Sequence, residues 1–321
     1  LDRSSAASDV YKRQELNHSA FRVYAIVTSQ ISGLVSGRFG RKFFPIRLAS
    51  MPEGHVIHRL ANKFNADYRG MPLRVTSPQG RFAAEAEILD GERIELAETY
   101  GKHLFVHFTA PDPRHILYIH LGLIGKLRFE PREETGGQIR VRIDNGTEAA
   151  NLRGPQFCRL LTEEEYRAQL AKVGQDPLRP DADVEALWAK VHKSRRSIGS
   201  LMMDQHLYAG VGNIYRAETL FRHGLSPFLP GRDVSRETFD ATWADLVQLM
   251  EYGVEHGRID TVRPEHSPEA MGREPRKDDH GGEVYVYRRA GLPCYVCGTP
   301  VAERVMEGRN LFWCPTCQPA P

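Results

Sequence analysis

Apolar side chains recur at helical spacing in the segment 53–64. The apolar positions are Val56, Ile57, Leu60, Ala61 and Phe64. Placed at 3.6 residues per turn, these positions fall on one face of a helix, and polar residues occupy the other face. The pattern therefore predicts an amphipathic first helix that packs its apolar face against a core.

The pattern then changes to short apolar or alternating runs separated by Gly and Pro. These runs span residues 82–88, 94–96, 104–108, 116–121, 127–129 and 139–143. Short runs of this kind, bounded by turn residues, are typical of strands in antiparallel sheets. We expect this half of the chain to form an antiparallel β-sandwich that carries the first helix.

After residue 155 helical patterns replace the strand patterns. They occupy residues 163–173, 183–192, 198–204, 213–223 and 236–256. The stretch 257–283 is rich in Pro, Gly and charged residues and is predicted to be a long loop. The sequence thus predicts an α+β protein with a non-native or disordered leader at 1–50, a β-sandwich domain at 51–160, a helical domain with its loop at 161–283, and a small metal module at 284–321.

The composition is that of a folded chain, and 321 residues suit two domains. No run approaches the roughly 18 consecutive apolar residues that a membrane-spanning helix needs, and no secretory signal is visible. We therefore expect a soluble, cytoplasmic protein with no membrane partner. The net charge is only +2, and residues 1–50 hold eight Lys and Arg against three Asp and Glu. Any nucleic-acid binding must therefore use local basic faces.

The first fifty residues contain no methionine, and Met51 is the first one in the chain. We expect translation to begin at Met51, with the upstream segment arising from read-through of untranslated sequence or from an artefact. A real disordered extension, or an alternative start codon, is the other interpretation.

Four of the five cysteines form two CxxC pairs near the C-terminus. The ligand set is Cys294, Cys297, Cys314 and Cys317, with sixteen residues between the pairs. Four thiolates at this spacing suit tetrahedral Zn²⁺, and a site filled by four protein ligands is structural. An iron site or two redox pairs are the alternatives, but the hairpin-like residues between the pairs favour one structural zinc ion. Cys158 stands alone and is expected in the core.

A second motif covers residues 200–218, in which two helices flank a turn that contains Gly210 and Gly212. Glycine allows a close approach of the backbone to another molecule, and the amides at the start of the helix near Asn213 are predicted to cradle a phosphate. Basic residues surround the turn, namely Lys193, Arg195, Arg196, Arg216 and Arg222. The motif predicts a DNA contact, although many helical hairpins are purely structural.

Four separated motifs together resemble the formamidopyrimidine-DNA glycosylase and endonuclease VIII (Fpg/Nei) family of base-excision repair. They are Pro52-Glu53-Gly54, Gly101-Lys102, the segment from Met203-Asp204-Gln205 to Gly212-Asn213-Ile214-Tyr215, and Gly308-Arg309 within the four-cysteine module. The resemblance covers residues 51–318. It implies an N-terminal β-sandwich with flanking helices, a helix-two-turn-helix domain and a zinc-finger hairpin, in a monomer that acts on damaged double-stranded DNA.

The resemblance also implies a catalytic set. Pro52, once it is the N-terminus, would attack the sugar C1′ as a secondary amine, expel the base and form a Schiff base that leads to strand cleavage. Glu53 would supply an acid to the sugar ring oxygen. Lys102, on a strand facing the same site, would neutralise phosphate and assist proton transfer. Taken without the family, Pro-Glu is also an ordinary helix start.

Four further positions match residues of the family that contact DNA. Asn213 and Arg309 would bind phosphates on either side of the damaged nucleotide. Leu123 would fill the gap left by the everted base, and Arg153 would pair with the orphaned partner base. Without the family, Leu123 is equally an ordinary apolar residue of a strand.

The chain departs from the 8-oxoguanine branch of the family. Pro155 stands where that branch usually has a bulky aromatic residue, and Val56 replaces a second acid. Gly54 and the aliphatic loop around Leu123 resemble the endonuclease VIII branch more closely, which implies a preference for oxidised pyrimidines. An 8-oxoguanine/formamidopyrimidine enzyme, a non-catalytic DNA-binding homologue that keeps residues 1–50, and a zinc-ribbon transcription or translation factor are the alternatives.

Overall fold

The computed structural model describes residues 52–277 and 282–321. The prediction about a leader at 1–50 lies outside the described residues, and the predicted domain limits stay predictions. Within the described part, none of the helices combines the length and the apolar character that crossing a bilayer requires.

The first helix is confirmed as α1 (Gly54–Asp67), and it buries Ile57, Ala61 and Phe64 on one face. Eight strands accompany it: β1 (Arg74–Thr76), β2 (Ile94–Tyr100), β3 (His103–Phe108), β4 (Ile116–His120), β5 (Lys126–Pro131), β6 (Ile139–Asp144), β7 (Glu148–Arg153) and β8 (Phe157–Leu161). They form two antiparallel four-stranded sheets, ordered β1-β6-β7-β5 and β2-β3-β4-β8. One hydrophobic core contains side chains of both sheets and of α1, so the predicted sandwich is confirmed.

The run at 82–88 was predicted as a strand, and this is wrong because it forms helix α2 (Ala83–Leu89). Its buried residues are Phe82, Ala86 and Leu89, which recur every three to four positions as in a helix. Alanine and glutamate, which fill the segment, are also strong helix formers. The sequence patterns missed β1, β7 and β8 because these strands are short or interrupted by polar residues.

Helices dominate the rest of the chain. They are α3 (Glu163–Leu170), α4 (Val184–Val191), α5 (Ile198–Leu201), α6 (Asn213–Arg222), α7 (Arg236–His256) and α8 (Pro268–Met271). The side chain of Ser235 caps α7 at its start, and Gly257, with φ of 71°, ends it in the left-handed region. The helix predicted at 198–204 is shorter than expected, because the chain turns after Leu201 to enter the segment before Gly210.

The stretch 257–283 is more ordered than the predicted loop. It contains a 3₁₀ turn (Pro264–His266) and helix α8, and it buries Ile259 and Thr261. Beyond it, strands β9 (Ala302–Met306) and β10 (Arg309–Trp313) form an antiparallel hairpin. Phe312 of β10 belongs to the same core as α6 and α7, so the C-terminal module packs on the helices.

Candidate active site

The carboxylate of Glu53 lies at the N-terminus of helix α6. It accepts hydrogen bonds from the backbone N–H groups of Gly212 (3.2 Å), Ile214 (2.8 Å) and Tyr215 (3.4 Å). These amides have no partner inside their own helix, and the helix dipole favours a negative group there. Burial nevertheless raises the pKa of Glu53, outweighing the opposing effects of the Lys102 charge and of these three donors.

This contact corrects the prediction of a phosphate cradle at the same helix end. Three of the amides that would bind a phosphate already bind Glu53. The predicted basic face is also smaller than expected, because Arg216 is fully buried and the guanidinium of Arg222 binds Asp245 at 2.7 and 2.8 Å. Lys193, Arg195 and Arg196 remain at least partly exposed.

The prediction that Lys102 lies on a strand is wrong, because Gly101, with a positive φ, turns the chain between β2 and β3 and Lys102 lies in that turn. Its ammonium approaches the same helix end. Its Nζ donates to the backbone carbonyl of Val211 at 2.9 Å. Burial lowers the pKa of Lys102 to about 8, the negative charge of Glu53 opposes this shift, and the like charge of Arg309 adds to it. Lys102 can therefore exchange a proton near neutral pH.

Glycines allow three segments to pack closely together. The segments are the turn of Gly101 and Lys102, the start of α1, and the turn before α6. Gly54 N–H donates to the Gly210 carbonyl at 2.8 Å. Gly101 has φ of 61°, and a Cβ placed on it would lie 2.6 Å from the Gly210 nitrogen. A side chain at Gly101 would therefore push Lys102 away from Val211.

Pro52 and Lys102 line one cavity of about 220 Å³. The remaining lining residues are Ile57, His120, Leu121, Gly122, Leu123, Gln156, Met203, Gln205 and Arg309. The structure thus brings together Pro52, Lys102, Leu123 and Arg309 from four separate parts of the sequence. Glu53 follows Pro52 directly and lies buried against α6.

Leu123 lies in the turn between β4 and β5, where it is 49% exposed. Its neighbour Ile124 is 74% exposed, and Gly122 has φ of 67°. Two large apolar side chains thus project from a tight turn at the edge of the cavity. The prediction named only Leu123, although the adjacent pair Leu-Ile between two glycines was a visible signal for both residues.

Asn213 and Arg309 are connected through the zinc hairpin. The Asn213 side-chain amide donates to the carbonyl of Asn310 at 2.9 Å, and its oxygen accepts from Arg216. The hairpin therefore sets Arg309 beside the start of α6. Arg153 is placed elsewhere: its guanidinium binds the Glu130 carboxylate at 2.8 Å and the Gly136 carbonyl at 3.0 Å, and it does not line the cavity.

The four cysteines form a compact cluster. Their sulfur atoms all lie within 4.8 Å of one another, with 3.9 Å between Cys294 and Cys317 and 3.4 Å between Cys297 and Cys314. Four thiolates at ~2.3 Å from Zn²⁺ have edges of similar length. The ligand set therefore fits one structural zinc ion, as predicted. Cys158 is partly buried against the sandwich core.

Several lining residues were missed as site residues. Gln205 lies within the Met203-Asp204-Gln205 motif that the sequence singled out, whereas His120 and Gln156 were not named as site residues. The side-chain amide of Gln205 donates to the carbonyls of Val211 (2.9 Å) and Met203 (3.2 Å), and its oxygen accepts from Gly210 (3.2 Å). Gln205 thereby closes the turn whose carbonyl binds Lys102.

Three family models match the chain. They describe the formamidopyrimidine-DNA glycosylase N-terminal domain (residues 51–155), the formamidopyrimidine-DNA glycosylase H2TH domain (173–263) and a zinc finger found in FPG and IleRS (291–320).

Individual relatives agree with these models. Endonuclease 8 1 of Mycobacterium tuberculosis is 44% identical over 277 residues, which cover 84% of this chain and 100% of the relative. Formamidopyrimidine-DNA glycosylase of Thermus thermophilus is 30% identical and covers 85% of this chain and 94% of the relative. The crystal structure of MutM (Fpg) from Thermus thermophilus has a TM-score of 0.64 at 27% identity, covering 84% of this chain and 100% of that one. The chain therefore belongs to the Fpg/Nei family of base-excision-repair DNA glycosylases, which are also AP lyases.

Proposed function

We propose that this chain removes oxidised pyrimidines from double-stranded DNA through a Schiff base on Pro52 and then cleaves the strand by elimination. The observation that carries the proposal is the shared cavity of Pro52 and Lys102, with the Glu53 carboxyl buried beside it. A nucleophile, an acid and a group that exchanges protons near neutral pH are the three functions that the reaction requires.

The proline nitrogen must be a free secondary amine. In the printed sequence an amide bond joins it to Met51, and an amide nitrogen is not nucleophilic. The proposed enzyme is therefore the chain that begins at Pro52. The family model of the N-terminal domain, which matches from residue 51, supports this starting point.

In the first step the Pro52 nitrogen bonds to C1′ and the bond from C1′ to the base breaks. The base leaves with the bonding electrons and takes up the proton that the Pro52 amine loses. Glu53 is suited to protonate the sugar ring oxygen, because its raised pKa keeps a proton on the carboxyl closer to neutral pH. Ring opening then leaves an iminium between Pro52 and C1′.

In the second step a base removes a C2′ proton, which the iminium has made acidic, and the 3′ phosphate leaves with the C3′–O electrons. Lys102, with a pKa of about 8, is neutral in a substantial fraction of molecules near that pH and can accept the proton. Water finally hydrolyses the Schiff base and restores the amine. No external oxidant or reductant is consumed.

We assign the DNA contacts to the residues at the edge of the cavity. Arg309 and Asn213 bind phosphates around the lesion, and Leu123 fills the space left by the everted base, with Ile124 beside it. Arg153, which binds Glu130 in the free protein, exchanges this partner for the orphaned base. The zinc ion supplies the cross-link that keeps the hairpin folded, and the enzyme acts as a monomer in the cytoplasm.

The test uses protein that begins at Pro52, abasic duplex DNA and borohydride, which reduces a Schiff base to a stable adduct. We expect a covalent adduct whose peptide maps to Pro52. The matched control is the chain that keeps residues 1–51, which should form no adduct. Failure of the Pro52-initiated protein to form one would overturn the proposal, and tight binding of abasic DNA without an adduct would establish the non-catalytic alternative.

The preference for pyrimidines is proposed from Gly54 and the aliphatic loop around Leu123, and the packing of the stretch 257–283 is in keeping with it. The described residues of this stretch line a separate cavity against α7 and contribute nothing to the lining of the Pro52 cavity. Excision rates on matched duplexes with thymine glycol, dihydrouracil, 8-oxoguanine and formamidopyrimidine test this preference. Faster excision of the purines would place the enzyme in the Fpg branch.

A further inference from the structure

Asp176 is a buried carboxylate outside the cavity, in the segment that precedes α4. It is 2% exposed, and the proposed chemistry gives it no role. Taking a charged group out of water is costly unless hydrogen bonds compensate it. The hydrogen-bond donors that offset the cost of burying Asp176 therefore identify the segments that this residue holds in place.

Three backbone or side-chain donors from three segments converge on Asp176. Its Oδ2 accepts from the Gly101 backbone N–H (2.7 Å) and from His58 Nε2 (3.0 Å). Its Oδ1 accepts from the Leu178 backbone N–H at 2.9 Å. Oδ2 thus connects helix α1 and the turn between β2 and β3 to the segment before α4, whereas Oδ1 makes a local bond two residues along the same segment.

Both segments that share Oδ2 carry residues of the proposed reaction. Lys102 directly follows Gly101, and helix α1 directly follows Pro52 and Glu53. We propose that Asp176 is a positioning residue that sets Lys102 relative to Pro52 and Glu53, an inference that rests on the proposed function. Asp176 does not line the cavity, so it acts through Lys102 and not on the substrate.

The substitution Asp176→Asn tests this arrangement with little change in volume. An asparagine keeps one acceptor oxygen but places an NH₂ group where a second carboxylate oxygen accepted N–H bonds. In either orientation the NH₂ group faces an N–H donor, Leu178 on one side or Gly101 and His58 on the other, so the bonds around residue 176 rearrange. A displacement on the order of 1 Å in a reacting group costs about 100-fold in rate, and we expect a loss of that size in single-turnover cleavage of abasic DNA.

A double-mutant cycle separates positioning from general damage. If Asp176 acts through Lys102, Asp176→Asn should slow Lys102→Gln by less than about threefold, because the group it positions is already absent. Multiplicative losses in the double variant would overturn the inference. Asp176→Asn should bind DNA that carries an uncleavable abasic analogue with an affinity within about twofold of that of the parent protein. The hydrogen bonds described above join Asp176 to none of the residues that we assign to DNA binding, so these residues should not be affected.

His58 provides a second, milder test should Asp176→Asn fail to fold. His58→Leu removes a donor to Oδ2, and His58→Gln retains one. We expect roughly a tenfold slower cleavage for His58→Leu, in line with one hydrogen bond to a charged group, and recovery in His58→Gln. Equal rates in the two variants would contradict the positioning role. Asp233→Asn, an exposed change in the same part of the chain, is the matched control and should cleave like the parent.

Failure of the inference and failure of the proposed function give different results. If Lys102→Gln cleaves like the parent, the role of Lys102 in the proposed function is wrong. If Lys102→Gln is slow and Asp176→Asn is as fast as the parent, only the positioning role of Asp176 is wrong.

Discussion

Helix α6 is in contact with two buried carboxylates that differ in how fully they are bonded. Glu218, inside the helix, accepts from Thr261 Oγ1 (2.6 Å) and from the backbone N–H groups of Tyr285, Val286 and Tyr287 at 2.6 to 2.9 Å. Glu53, which reaches the helix from outside, accepts three backbone bonds, two of which are 3.2 and 3.4 Å long.

The difference agrees with the separate roles that we propose for the two side chains. Three of the four short bonds of Glu218 hold the segment 284–287 against α6, the fourth comes from Thr261, and together they engage both carboxylate oxygens. Glu53 has one bond below 3 Å, its burial raises its pKa, and it follows a residue that lines the cavity. The bonds of Glu218 hold the fold together, whereas Glu53, whose pKa is raised by burial, is suited to the acid role that we propose for it.

The sharpest test of this comparison exchanges each glutamate for glutamine. Glu53→Gln should slow base excision by about 10³-fold, within the range for loss of a general acid. Glu218→Gln should leave the rate of the folded protein near that of the parent, because Glu218 lies outside the cavity. It should instead lower the free energy of unfolding by about 3 kcal/mol, since an amide meets donors that the carboxylate accepted. Single-turnover kinetics and urea unfolding measure the two effects.

The reverse result would break the comparison. Retention of excision in Glu53→Gln would remove Glu53 from the chemistry and leave it as a cap of α6. A slow but fully stable Glu218→Gln would mean that the contact with segment 284–287 matters for catalysis.

Removal of zinc tests whether the hairpin serves DNA binding while Glu218 serves the fold. With the metal gone the hairpin loses its cross-link, and Arg309 and Asn310 lose their places beside Asn213. We expect affinity for abasic DNA to fall roughly 30-fold, equivalent to the loss of one or two charged hydrogen bonds. The helices should keep their circular dichroism signal because Glu218 still holds the segment before the hairpin. Loss of the whole helical signal on chelation would contradict this division of roles.

The sequence predicted the helices whose apolar residues repeat with a clear period and the motifs whose residues have a fixed spacing. The first helix and α7 have long amphipathic patterns, and the four cysteines have ligand spacing that the folded chain reproduces. The prediction for α2 was wrong because seven residues suit either a strand or a buried helix. Asp176 gave no signal, since its donors come from Gly101 and His58, more than seventy residues away in sequence. The burial of Arg216 and the pairing of Arg222 also depend on partners that only the fold brings close.

A smaller effect is expected from one donor of Glu218. Thr261→Val removes the hydroxyl that donates to Oε2 and keeps the shape of the side chain, and the three backbone donors remain. The free energy of unfolding should fall by about 1 to 2 kcal/mol, less than for Glu218→Gln. Thr147→Val, at an exposed turn, is the matched control. A loss as large as that of Glu218→Gln would mean that the four bonds do not act separately.

The smallest expected effect is a shift in the pKa of Lys102, which lies near Glu53, the carboxylate with the longer hydrogen bonds. Burial and the like charge of Arg309 lower the pKa of Lys102, while Glu53 raises it, giving about 8. Lys102 is therefore protonated below that pH and loses its charge as the pH rises through it. Arg309→Gln removes one lowering influence, so the pKa of Lys102 should rise by roughly half a unit, as suits partly screened charges. NMR titration of lysine-labelled free protein measures this shift, with Arg304→Gln on the neighbouring strand as control. An unchanged or lower pKa of Lys102 in Arg309→Gln would show that Arg309 does not act on Lys102 through its charge.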